Sequence, residues 1–193
     1  MGKFSSSLKK NTSNIILLIA AIILIFSTDA KALLSQGLMK LGFYQPSFSQ
    51  EIKRDTEYLN SNWNIVDADG NSVNVTDLKG KLVFLNFWAT WCPPCVAEMP
   101  SIQKLYENFQ FDDEVVFLLV EMDGEPHKAI DFMNKKGFSL PVYSTNERVP
   151  EELYKGNLPT TVILNKEGQI VYQTFGLADY SGNEFREFIR NLK

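Results

Sequence analysis

Cysteine and histidine are scarce: the 193-residue chain holds 2 Cys and 1 His. Two thiols cannot build a disulfide-dense scaffold, and with a single histidine they cannot complete a four-ligand structural zinc site. Basic excess is missing too. Lys+Arg number 19 against 23 Asp+Glu, a net charge of −4, so nothing in the charge balance points to nucleic acid as a partner. Internal repeats and long low-complexity tracts are absent, and no apolar run reaches the ~20 residues of a strict spanning helix. What remains is ordinary globular material, 45% hydrophobic and 12% aromatic, in 193 residues. That length suits one domain plus a tail or anchor.

Charge is unevenly spread. Residues 1–41 carry 5 Lys against Asp29 alone, and the rest of the chain carries 14 Lys+Arg against 22 Asp+Glu. Lys3, Lys9 and Lys10 precede residues 15–26, an apolar stretch of 12 residues. Three readings compete for it: an uncleaved anchor shortened by snorkelling flanks, a cleaved secretory signal, or a core helix. The first organises the chain as a cytoplasmic basic tail (1–13), a transmembrane helix (14–28), a linker (29–58) and a compact domain (59–193). The lysines before the run keep the N-terminus cytoplasmic and send the domain outside, into an oxidising compartment. Within the linker, Ala32, Leu33, Leu34, Leu38, Met39 and Leu41 suit a short amphipathic helix near the membrane surface, or else part of a plain stalk.

The domain alternates strand and helix patterns. Residues 63–66 and 73–75 flank an Asp69-Gly70 turn, the signature of a small hairpin. Residues 82–88 form a nearly unbroken apolar run, expected of a strand buried on both faces. Val96, Met99, Ile102, Leu105 and Phe109 then recur at helical spacing. A strand over 115–120, a helix over 129–136 closed by Gly137, a hairpin of 161–164 with 170–173 turning at Gly168, and a terminal helix marked by Phe185, Phe188 and Ile189 complete the order. A mixed sheet with helices on both faces fits this order.

Chemistry concentrates in Trp91-Cys92-Pro93-Pro94-Cys95, between a buried strand and a helix. Cysteines three apart at a helix start share a face and lie within disulfide reach. The unpaired N–H groups and partial positive charge of the helix N-terminus favour a thiolate. Cys92, at the cap where solvent can reach it, is expected to be the nucleophile, and Cys95, one turn inside, the resolving thiol. Pro93 and Pro94 fit the first two helical positions but donate no N–H to the Cys92 sulfur, so the first available donor is the Cys95 amide. No cofactor and no metal is required by such a site.

The run Phe87-Trp88-Ala89-Thr90-Trp91-Cys92-Pro93-Pro94-Cys95, followed by Glu98-Met99-Pro100 and, much later, by Leu158-Pro159-Thr160-Thr161, resembles the TlpA/ResA group of membrane-anchored thioredoxin-like proteins. The resemblance covers roughly residues 60–193. It implies an α/β thioredoxin-like fold, a central mixed sheet flanked by helices, and a thiol–disulfide oxidoreductase of the bacterial cytoplasmic membrane, single-pass with its domain periplasmic or extracytoplasmic. It further implies a reductant of protein disulfides, with apocytochromes during haem attachment as candidate substrates and a membrane thiol-reductant as electron donor. Pro159 is then expected to be a cis-proline facing the dithiol, and Leu158, Trp91, Pro93 and Pro94 to border the substrate. Thioredoxins proper carry a buried acid where this chain has Asn86. Proton handling therefore falls to Glu98, one turn below Cys95, or Glu121, at the end of the central strand. Two alternatives share the fold: a thiol peroxidase, whose cysteine neighbourhood differs, and a copper carrier, which pairs Cys-x-x-x-Cys with a distal histidine.

Overall fold

The computed structural model describes residues 14–23, 27–41, 59 and 62–193. The proposed basic tail, the middle of the proposed anchor (24–26) and most of the proposed linker (42–58) lie outside the described residues. Two helices come first: α1 (Asn14–Ile23) and α2 (Thr28–Lys40), capped by the Ser27 hydroxyl, which accepts the Ala30 N–H at 3.2 Å. No single described helix is long and apolar enough to cross a membrane. Asn14–Ile23 and Thr28–Met39 reach that composition only together, bent by 94°.

The domain follows as β1 (Asn64–Asp67), β2 (Ser72–Asn74), a short 3-10 turn (Val75–Leu78), β3 (Leu82–Trp88), α3 (Pro93–Phe109), β4 (Val115–Glu121), α4 (Pro126–Lys136), β5 (Val142–Ser144), β6 (Thr160–Leu164), β7 (Ile170–Phe175) and α5 (Asn183–Asn191). The seven strands form one sheet in the order β2-β1-β5-β4-β3-β6-β7. β3 and β4 are parallel, as are β4 and β5, while β6, β7 and the β1–β2 hairpin run antiparallel to their neighbours. Every residue of β3 is buried, as its apolar run requires at the middle of a sheet.

Side-chain alternation along β3 sorts the core. Leu82, Phe84 and Trp88 join Ile102, Leu105, Met133, Phe185 and Ile189 in one apolar layer, whereas Val83, Leu85 and Phe87 join Trp63, Ile65, Val75 and Leu153 in the other. The first layer contains residues of α3, α4 and α5; the second contains no helical residue of these three. The expectation of helices on both faces is thereby corrected. The chain steps from β3 to β4 to β5 in one direction across the sheet, so two right-handed crossovers put α3 and α4 on the same side. The opposite face is closed by Trp63 and by the irregular stretch around Leu153 and Tyr154. β5, which starts directly after Pro141, is the strand that periodicity missed, its three residues being too few to display a pattern.

Within the proposed linker, the short helix expected around Ala32–Leu41 is α2. α2 runs through Gly37 and packs on the domain, with Ala32 and Met39 buried against Val96 and Ala97 of α3.

Candidate active site

The site grows from the C-terminal end of β3. After Trp88 the chain turns so that Cys92 becomes the N-cap of α3, with φ −87° and ψ 102°, and Pro93 and Pro94 fill the first two positions. These prolines tolerate the first turn because its N–H groups have no intrahelical acceptor. The Cys95 N–H then donates to the Cys92 Sγ at 3.3 Å. Cys92 and Cys95 are joined as a disulfide with Cα atoms 5.3 Å apart. Both are buried in this oxidised state, Cys95 completely and Cys92 to 3% exposure, so the solvent access expected of Cys92 is slight.

Glu98, one turn along α3 from Cys95, is wholly buried and without an ion pair among the described residues. Asn86 shares its face of β3 with Trp88, the face on which α3 packs, and this brings the two polar side chains together. Asn86 Nδ2 donates to Glu98 Oε1 at 2.8 Å and to Thr161 Oγ1 at 2.9 Å, and Tyr180 Oη donates to the same Thr161 oxygen at 2.7 Å. The Ala178 N–H reaches Glu98 Oε2 at 3.4 Å. Burial pushes the Glu98 carboxyl up to about 8, against the opposing pull of Asn86 and Ala178. At neutral pH this acid is mostly protonated.

Glu121 occupies a different place. It ends β4, and its carboxylate accepts the N–H of Asp123 at 2.5 Å and of Glu125 at 3.1 Å. Burial raises its pKa while those two N–H groups lower it. With both oxygens engaged by its own loop, Glu121 shapes the β4–α4 connection. That loop carries Asp123 to Trp91, whose Nε1 donates to Asp123 Oδ1 at 2.5 Å. Trp91 is otherwise exposed beside Cys92, whereas Trp88 is fully buried and packs on Phe132 at 5.7 Å.

The Leu158–Pro159 peptide bond is cis. Pro159 is buried, and its carbonyl accepts the Gly176 N–H at 2.8 Å. Leu158 packs against both apolar layers: the one containing the dithiol and the one bordered by Met122, Val149 and Tyr154. Those three residues line a groove of about 620 Å³. Among the described residues, none bonds the backbone N–H or carbonyl of Leu158.

Sequence reasoning missed Asp123, Thr161 and Tyr180. The Asn86–Glu98 contact was legible in principle, from strand parity on one side and helix spacing on the other. Thr161 and Tyr180 carry no local signal.

A dithiol at the N-cap of a helix that follows the central buried strand, with a buried acid one turn along that helix, defines a thioredoxin-fold thiol–disulfide oxidoreductase. The family model described as AhpC/TSA family matches residues 52–173. Thiol-disulfide oxidoreductase ResA of Bacillus thuringiensis (strain Al Hakam) is 32% identical over 145 residues, 75% of this chain and 83% of the relative. The ResA of Halalkalibacterium halodurans is 36% identical over 132 residues, 67% of this chain and 74% of the relative. Among solved structures, StoA from Bacillus subtilis superposes with a TM-score of 0.54 over 68% of this chain and 98% of its own, at 22% identity. The chain belongs to the AhpC/TSA family and is, within it, a ResA-like thiol–disulfide oxidoreductase.

Proposed function

We propose that the protein is a membrane-tethered reductant of extracytoplasmic protein disulfides, with apocytochromes c as a candidate substrate class. The observation that carries this reading is the pairing of the capped dithiol with a buried acid whose pKa lies near that of a thiol. In the reduced enzyme the Cys92 thiolate attacks a substrate disulfide. A Cys92–substrate bond forms, the substrate S–S bond breaks, and the departing sulfur takes a proton from solvent. In the minor fraction of molecules whose Glu98 is ionised at neutral pH, Cys95 passes its proton to that carboxylate and attacks the Cys92 Sγ, which frees the second substrate thiolate and closes the Cys92–Cys95 disulfide. Two electrons have moved to the substrate, and Glu98 holds the proton.

A carboxyl at about 8 lies far closer to the ~8.5 of an ordinary thiol than a usual carboxylate does, which favours the transfer. A normal carboxylate would be a far weaker acceptor. The unbonded Leu158 backbone, next to Pro159, supports docking of an extended substrate segment by strand-like hydrogen bonds. Trp91, held by Asp123, and the prolines Pro93 and Pro94 border the same approach.

The anchor reading rests on the apolar run at 15–26 and the lysines before it. It places the N-terminus in the cytoplasm and the domain on the outer side of a bacterial cytoplasmic membrane, where a membrane thiol-reductant must return the dithiol to its reduced state.

Trapping tests the assignment of thiols. Cys95→Ala is expected to accumulate disulfide-linked complexes with extracytoplasmic proteins, because no other thiol can resolve them. Cys92→Ala is expected to accumulate none. Non-reducing electrophoresis followed by identification of reductant-released proteins reads both. Equal trapping by the two variants, or none by either, defeats the proposal.

A further inference from the structure

α2 has two apolar faces, and the domain uses the smaller one. Ala32 and Met39, seven residues apart, are buried against Val96, Ala97, Phe132 and Leu177. On the opposite side Ala30, Leu33, Leu34, Gly37, Leu38 and Leu41 recur at intervals of three and four, a continuous stripe along the helix. Leu33, Leu34 and Leu41 are 70%, 58% and 72% exposed. A helix bound to a soluble domain ordinarily turns its leucines inward, and this one turns them away.

We infer that the leucine stripe of α2 lies on the lipid bilayer, so that α2 is a docking helix clamped between the membrane surface and the redox helix. The inference rests on the anchor reading of residues 14–28. Three observations select lipid as the occupant. The side chains of Ile15, Ile16, Leu17, Leu18, Ile19, Ile22 and Ile23 of α1 are all exposed, so an apolar medium must receive them just upstream of α2. α2 begins at Thr28, five residues after Ile23 ends α1, so a chain anchored through α1 brings α2 to the membrane surface, the place of an interfacial helix. Lys31, exposed, stands at the margin of the stripe one turn from Leu34, where it can meet lipid phosphates.

The same arrangement ties the domain down. Asp29 pairs with Lys136 of α4 at 2.9 Å, and Met39 and Ala32 grip the turn of α3 that directly follows Cys95. The dithiol is then held at a set height and tilt above the bilayer, within reach of a donor embedded in it, and does not swing on a stalk from residue 29 onward.

Depth-dependent quenching of a site-specific fluorophore tests this in the full chain. The oxidised protein, whose native cysteines do not label, is reconstituted into vesicles of phosphatidylcholine and phosphatidylglycerol. Nitrobenzoxadiazole is attached to one introduced cysteine at a time, in Leu34→Cys, Leu41→Cys, Ile19→Cys or the exposed domain control Asp113→Cys. Lipids carrying a nitroxide near the headgroup are expected to quench the probe at positions 34 and 41 about twofold or more and to leave position 113 unchanged. With a nitroxide deep in the acyl chain, position 19 is quenched instead. Quenching at 19 but not at 34 and 41 overturns the docking helix while leaving the anchor intact. No quenching at any position removes the anchor and the inference together. Shielding of 34 and 41 from aqueous iodide without quenching by lipid means that a second copy of the chain covers the stripe, which also overturns it.

Discussion

Replacing Glu98 by Gln isolates the one strongly perturbed acid of the site. In the folded, oxidised protein the Glu98 carboxyl is moved from 4.5 to about 8, chiefly by loss of hydration. The unfolded chain releases that proton near the ordinary value. Between the two values the folded state binds a proton that the unfolded state has given up, so the associated stability is fully present at low pH and is lost as pH rises through about 8. One pH unit corresponds to about 1.4 kcal/mol, which sets the slope in this window and makes the whole loss on the order of 5 kcal/mol. Glutamine has nearly the same shape, keeps a carbonyl for Asn86 Nδ2 and has nothing to ionise. Asp67, Asp112, Glu114 and Glu147 are held low by hydrogen bonds and are common to both proteins, so their acid-side contributions cancel in the difference. Denaturant unfolding of oxidised wild type and Glu98→Gln at several pH values from about 5 to 8 is the assay. The wild type is expected to lose stability relative to the variant by about 1.4 kcal/mol per unit. Parallel profiles would refute the buried, protonated acid and, with it, the proton transfer assigned to Cys95.

In the reduced protein, Cys92 is expected to alkylate faster than Cys95, with a rate–pH half-point below the ~8.5 of a free thiol; a half-point above that value contradicts the helix-cap argument. Glu121→Ala removes the acceptor of two loop N–H groups and is expected to cost about 1–3 kcal/mol by denaturant unfolding. The same variant should shift Trp91 fluorescence through the released Asp123, and unchanged stability and emission would count against the loop role. For topology, protease added to spheroplasts is expected to digest the domain, and full protection would reverse the orientation.

How much of this was legible beforehand differs by element. The buried strand over 82–88 and the redox helix were readable because their periods are long and their apolar residues dense, so local pattern and tertiary fate agree. The two hairpins announced themselves through Asp69-Gly70 and Gly168. β5 did not, since three residues after a proline offer no period, and it becomes a strand only because β4 and β1 lie open on either side of it. The apolar residues from Ala32 to Leu41 suggested a short helix, with Gly37 as its weak point. Packing of Ala32 and Met39 on α3 outweighs the modest cost of one helical glycine, about 1 kcal/mol.

For the site, sequence by itself determined the dithiol, its place at a helix start and the poverty of N–H donors around Cys92. Each of these depends on residues within one turn of one another. Only the tertiary structure distinguished the surroundings of Glu98 from those of Glu121. Both are carboxylates near the ends of apolar elements, and spacing treats them alike. What separates them is long-range: Asn86 from the neighbouring strand and Ala178 from a segment 80 residues away close over Glu98 and exclude water, whereas the turn after β4 folds its own amides onto Glu121. The cis state of Leu158–Pro159 and the outward leucines of α2 belong to the same category. A residue's chemistry is written locally, but its hydration is set by whatever the fold brings to the other side of it.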